Sequence, residues 1–375
     1  MELRPDRWAA GGDAIAKAPD GRVVFVAGAL PGETVRAEIT ASKKDFQRAS
    51  VVEVLAASPD RIEPACPLVA AGCGGCSWQH VDHQLAHKTD IVRDALRRTA
   101  RMPDAVVSAA GSVDPFGYRT TLRLAADHGR IGLRAASSHR VVPVAHCPVA
   151  HQRVNDVLPS LRTQTGEVTV RVSLATGAHT VLEATEAAKG QRRERGASTS
   201  LVETIAGVPL RVSAPSFFQS GVQAAELLVH TVRSALGDRL NDATPTLDAY
   251  GGIGLFSATL PLQTPIVVEG SSSACADARV NLPAAVVAET NFEQWVPVSV
   301  GTAVVDPARS GLGRDAVRVL AATGAEFVVL VSCDPVAMAR DVALLAEHGF
   351  QHRSTEVLDL FPQTPHVEAV TVLER

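Results

Sequence analysis

The alternation of apolar and polar positions changes its grammar twice along the chain. Over residues 1–60 the apolar runs are short. VVFVAG from Val23 follows an Asp20-Gly21 turn, and TVRAEIT from Thr34 sends Val35, Ala37 and Ile39 to one side after Pro31-Gly32. ASVVEVLAAS from Ala49 closes the series, and Ser58-Pro59-Asp60 punctuates its end. Period-two runs between glycine-containing turns predict a small OB-like β-barrel.

Residues 61–205 mix the two periods. A helix is predicted from about Gln84 to Arg101, with Leu85, Ile91, Val92, Ala95 and Leu96 as its apolar face, and it is able to pack on the C-terminal domain. From Tyr118 to Thr204 the pattern is β-rich with one helix near Val149–Leu161, and the polar stretch EATEAAKGQRRERGASTS is expected as an exposed loop. From Ala206 onward strands and helices alternate. TLDAY, IVVEG, AVVAE, AVVDP and EFVVLVSC are short β-branched runs, and PVAMARDVALLAEHG after the last is helical. That alternation predicts a doubly wound parallel sheet in residues 206–375. The expected fold is therefore α/β and multidomain: a barrel, a central α+β domain, and a Rossmann-like domain.

Composition adds limits. With 375 residues, 46% hydrophobic and 20% charged, the chain reads as globular, with no apolar run of membrane-spanning length and no apolar stretch in MELRPDRWAAGGD to suggest a leader. A cytoplasmic, monomeric protein with no membrane partner is expected. The net charge of −4 gives no general affinity for nucleic acid. The exception is local: Arg119, Arg123, Arg130, Arg134 and Arg140 share their segment with one acid, Asp127, which suits phosphate contact as well as a solvated surface.

The chemistry lies in three places. Cys66, Cys73 and Cys76, with a distant Cys147, offer four thiolates, enough for a zinc ion or an iron–sulfur cluster, and Gly74-Gly75 let the chain curl between two of them. In LDAYGGIGLFSATL a glycine-rich turn joins a strand to a helix, and Glu269 ends the next strand fifteen residues after Gly254, where an acid can hold the ribose hydroxyls of an adenosine. Asp306-Pro307 and Cys333-Asp334-Pro335 end two further strands at the sheet edge where such folds bind ligands. Cys275, on a predicted helix, is expected to be a buried structural thiol.

In order along the chain these residues resemble the S-adenosylmethionine (SAM)-dependent RNA uracil-5 methyltransferases with an N-terminal TRAM domain and an iron–sulfur motif. GGDAIAKAPDGRVVFVAGALPGETVRAEI is similar to the TRAM segment, and CGGCSWQH with Cys66 and HCPV resembles the cluster motif, though with one residue more between its first two cysteines. SFFQSG, DPARSGLG, VSCDP and LFPQTPHVE resemble the catalytic motifs. The resemblance implies a [4Fe-4S] cluster on Cys66, Cys73, Cys76 and Cys147 in preference to zinc. It implies SAM contacts from Gln219, Tyr250, Glu269 and Asp306, Cys333 as nucleophile, Glu368 as general base, and a uridine of tRNA or rRNA as acceptor. Three positions depart from the motifs: Gly221 and Leu255 replace asparagines, and Asp334 replaces the asparagine after the nucleophile. The first two remove polar cofactor contacts, which leaves a non-catalytic RNA-binding protein as the alternative. The third is expected to raise the thiol pKa of Cys333.

Overall fold

The structure, a computed structural model, describes residues 1–186, 192–196 and 198–375. The first strands form one six-stranded sheet, ordered Glu2–Leu3, Thr34–Ser42, Phe46–Ala56, Val23–Ala27, Ala14–Lys17 and Arg7–Trp8. Val24, Val26, Leu30 and Val35 fill its core, which Trp78 and Ile91 complete from outside the barrel. Arg61 from the following linker pairs with the buried Glu33 at 2.6 Å, and Glu33 also accepts bonds from the amides of Leu30 and Ser58.

A second six-stranded sheet runs in the order Val141–Pro143, Arg130–Arg134, Thr121–Asp127, Gly166–Val172, His179–Glu186 and Arg192–Arg195. Part of the polar stretch expected as a loop is therefore strand: Glu183–Glu186 pairs with Arg192–Arg195 at the sheet edge. The reason is that an edge strand pairs on one side only and needs no apolar run. Residues 187–191 and 197 of that stretch lie outside the described residues. A hairpin, Ser200–Ile205 with Val208–Ser213, follows and packs on helix Ser272–Asn281.

The third sheet has eight strands, ordered Val286–Glu289, Ile266–Glu269, Thr246–Ala249, Thr302–Val305, Phe327–Ser332, Glu368–Glu374, Gln351–Asp359 and Val107–Ser112. Phe327–Ser332 is buried throughout, as a central strand covered on both faces must be. The sheet is mixed: only Glu368–Glu374 runs against its neighbours. Helix Gln84–Arg98 lies on this sheet, touching helix Pro335–Ala346 and strands Val107–Ser112 and Gln351–Asp359. No helix among the described residues is long and apolar enough to cross a membrane.

Candidate active site

The reversed strand brings the reactive groups together. Ser332 pairs with Ala369 across the antiparallel ladder, so the residue after one strand, Cys333, stands beside the residue before the pair on the other, Glu368. Asp306 leaves the neighbouring strand at the same edge, its amide bonded to the carbonyl of Ala249 at 3.1 Å. Cys333 is half-buried and Glu368 is 4% exposed.

Burial, then Glu368 and Asp306, push the Cys333 thiol up to about 11, and Arg309 opposes them. Burial, then Asp306, hold the Glu368 carboxyl well above the usual range, again against Arg309. Burial and the nearby Asp248 raise Asp306 to about 7. Burial, then Arg309, Arg119 and Lys88, depress His366 to about 4. The site thus sets buried acids beside Arg309, with Arg119 and Lys88 also acting on His366, a setting in which protons are held and exchanged. Asp334 plays a different part from the one expected. Its Oδ1 accepts the amides of Val336 at 3.0 Å and Ala337 at 2.8 Å, capping helix Pro335–Ala346, so its charge is spent on the helix start. The groups that raise the thiol are Glu368 and Asp306 instead.

Next to these groups is a pocket lined by Phe217, Gln219, Tyr250, Gly251, Gly252, Leu255 and Asp306. A Cβ on Gly251 would stand 2.8 Å from Val267 and 3.0 Å from Asp248, so the close packing of the turn favours glycine there. Glu269 accepts the amides of Gly252 at 3.0 Å and Ser271 at 2.6 Å, which ties the acid to the glycine turn. The Tyr250 hydroxyl donates to Glu293 at 2.7 Å and its ring packs against Phe292. Leu255 is buried in the core beneath the turn. Asp248 is a group that the sequence reading missed, although an acid just before the glycine turn was visible in LDAY. Its Oδ2 accepts Ser257, while its buried Oδ1 has no partner. Asp248 is fully buried and is not among the residues lining the pocket, which include Asp306.

Gln219 is placed by a loop held from two sides. Arg171 donates to the carbonyls of Ser213 and Ser216, and Asp277 accepts from both serine hydroxyls. Gly221 follows in extended backbone, and a Cβ there would collide with the carbonyl oxygen of Tyr118. The missing asparagine is therefore explained by close chain approach. Gly221→Asn is expected to cost about 1–3 kcal/mol of stability through overpacking, without tightening SAM binding. Thermal melts and SAM titration of the variant check this; tighter binding at unchanged stability would refute it.

The four cluster cysteines line one small pocket with Leu68, Gln79 and Leu133. Gln79 accepts the Cys66 amide at 2.9 Å, and Asn155 accepts the Cys147 amide at 2.8 Å. A Cβ on Gly74 would stand 2.8 Å from the backbone of Ala136, so this turn also demands glycine. Among the described residues no three histidine, cysteine or acidic side chains form a group that could hold a metal ion. Arg119 lies between the two centres, close enough to act on Cys76 and Cys147 as well as on His366. Of the other arginines, Arg123 and Arg134 are paired with Glu167, which occupies part of the basic stripe. Cys275 is fully buried, its thiol donating to the carbonyl of Glu269.

An α/β sheet with a glycine turn, an acid on the next strand and one reversed strand, joined to a small β domain, is a Rossmann-like methyltransferase architecture. Residues 8–52 match the TRAM domain, and residues 287–375 match the tRNA (uracil-5-)-methyltransferase family. An uncharacterized RNA methyltransferase of Streptomyces coelicolor is 34% identical over 97% of this chain and 90% of its own length. The 23S rRNA (uracil(1939)-C(5))-methyltransferase RlmD of Shewanella piezotolerans is 30% identical over 94% of this chain and 91% of its own. The crystal structure of Pyrococcus abyssi tRNA (uracil-54, C5)-methyltransferase with S-adenosyl-L-homocysteine superposes over 100% of both chains, with a TM-score of 0.75 and 22% identity. The chain belongs to the RNA uracil-5 methyltransferase family, and its substrates are SAM and RNA.

Proposed function

We propose that the protein methylates carbon 5 of a uridine in tRNA or rRNA through a covalent bond between Cys333 and the uracil. The observation that carries this reading is the juxtaposition of Cys333 with Glu368 across the one reversed strand. Carbon 5 of uracil is a weak nucleophile, and addition of a thiolate at carbon 6 makes it an enolate carbon. SAM, when bound, supplies the electrophilic methyl group. Cys333 forms the bond to carbon 6, Glu368 then takes the carbon 5 proton, and the electron pair released restores the ring double bond as the Cys333–carbon 6 bond breaks. A carboxylate whose pKa is raised is a stronger base once ionised, so Glu368 must give up its resting proton before it takes the one on carbon 5. Arg309 is the cation placed to favour the thiolate. A uracil reaching this edge must leave its stack, so an unpaired or opened segment is the acceptor.

The test is transfer of labelled methyl from SAM to unmodified total RNA, fractionated by size and digested to nucleosides. Label in 5-methyluridine supports the reading and reports the RNA class; label in another nucleoside overturns it.

For the cysteines we infer a [4Fe-4S] cluster. One tetrahedral zinc, with bonds of about 2.3 Å, would draw four sulfurs close around a single point, whereas a cubane spreads them around a wider body. Four thiols lining one pocket could serve either, and the resemblance of their motif to the cluster signature favours iron. Protein purified without oxygen is expected to contain iron and acid-labile sulfide. Cys76→Ser is expected to lose both while SAM affinity is retained. Zinc in place of iron would refute the inference.

A further inference from the structure

Lys88 is 0% exposed, on the helix face that also buries Ile91 and Val92. Its Nζ donates to Asp359 Oδ1 at 2.5 Å and to the carbonyl of Phe361 at 3.2 Å, and Asp359 Oδ1 also accepts the Phe361 amide at 3.1 Å. One helical turn earlier, Gln84 Oε1 accepts the Gln363 amide at 2.7 Å, while its Nε2 donates to the carbonyls of Trp78 and Val81. Gln363 sits in the left-handed region at φ 70°, a conformation that a non-glycine residue keeps only when its surroundings hold it. Its carbonyl accepts the Trp78 amide at 3.0 Å. Trp78 in turn donates through Nε1 to Gly12 of the barrel, where a Cβ would collide with Pro365. Phe361 then meets His366 edge to face.

A buried ammonium–carboxylate pair is weak as a source of stability, since apolar residues of similar size often do as well. What such a pair supplies is a fixed geometry. Here the fixed object is the loop between strand Gln351–Asp359 and strand Glu368–Glu374. We propose that Lys88 is a positioning residue for methyl transfer: with Asp359 it fixes the start of the loop whose far end carries His366 and Glu368, while Gln84 fixes its middle. Lys88 touches no reacting atom and acts through Glu368. The proposal rests on Glu368 being the base.

The experiment compares Lys88→Met/Asp359→Asn, which removes both buried charges together, with Gln84→Ala and with Glu368→Gln. A base displaced by about 1 Å is expected to cost about 10²-fold in kcat. KM for SAM and the RNA dissociation constant are expected to stay within about threefold, as for an interaction made only in the transition state. A methylated, SDS-resistant protein–RNA adduct is expected to accumulate in the loop variants, as in Glu368→Gln. Wild-type kcat in both loop variants overturns the proposal. So does a joint loss of kcat, SAM affinity and melting temperature in Gln84→Ala, which marks a merely structural role. If Glu368→Gln itself traps no adduct, the base assignment has failed and the proposal falls with it. If Glu368→Gln traps adduct and the loop variants do not, the base assignment stands and the proposal alone is wrong.

Discussion

Replacing Cys333 by alanine is expected to lower methyl transfer to uridine by about 10⁴-fold or more, with SAM affinity nearly unchanged. The size follows from what the thiolate supplies. Without addition at carbon 6 the ring has no enolate, and orientation of the two substrates cannot replace that electronic change. The expectation for SAM follows from geometry, since the residues lining the pocket at the glycine turn, the proposed SAM site, do not include Cys333. Single-turnover transfer of labelled methyl to RNA checks the first quantity, and calorimetric titration with SAM the second. The thiol also sets a pH dependence. Because burial and two acids push it up to about 11, the thiolate fraction in the free enzyme rises about tenfold per pH unit below that value. With Cys333 attack limiting, kcat/KM of the wild type is expected to climb from pH 7 to pH 9. Residual activity in Cys333→Ala near the wild-type level would remove the covalent route.

The features visible in the sequence were those carried by local pattern. TLDAY, IVVEG and AVVAE fold as strands because a β-branched run between turns has one good way to bury itself. The glycine turn and Glu269 met because both end parallel neighbours at the same edge. What stayed hidden depended on partners remote in sequence. Nothing in EAVTVLE says that it runs against its neighbours, yet that reversal is what sets Glu368 beside Cys333. Lys88 drew no notice in the sequence, since the partner that gives it meaning lies 271 residues away. Gly221 read as a lost cofactor contact, and only the approach of Tyr118 shows it as a packing requirement. Asp334 misled because its effect depends on where its carboxylate points, and the helix start claims its Oδ1.

Glu368→Gln is expected to lower turnover by about 10²–10⁴-fold, the usual worth of a positioned base, while leaving the first half of the reaction able to proceed. Cys333 can still add to carbon 6 and the methyl group can still arrive, because neither step needs a proton taken from carbon 5. Release of the thiolate does need it. The variant is therefore expected to stall as an RNA linked to Cys333 and already methylated, stable to SDS and destroyed by nuclease. Glutamine keeps the shape of a residue only 4% exposed, so a packing defect is not the expected cause. Removing the acid also takes the largest neighbouring-charge contribution off the thiol, so Cys333 should ionise more readily in the variant than in the wild type. Adduct formation at pH 7 should then be at least as fast as in the wild type while product release is far slower, and gel shift under denaturing conditions with labelled SAM separates the two. Adduct without label would place the block before methyl transfer and assign Glu368 to an earlier step. Normal turnover would return the proton-accepting role to another group at this edge, of which Asp306 is the nearest in chemistry.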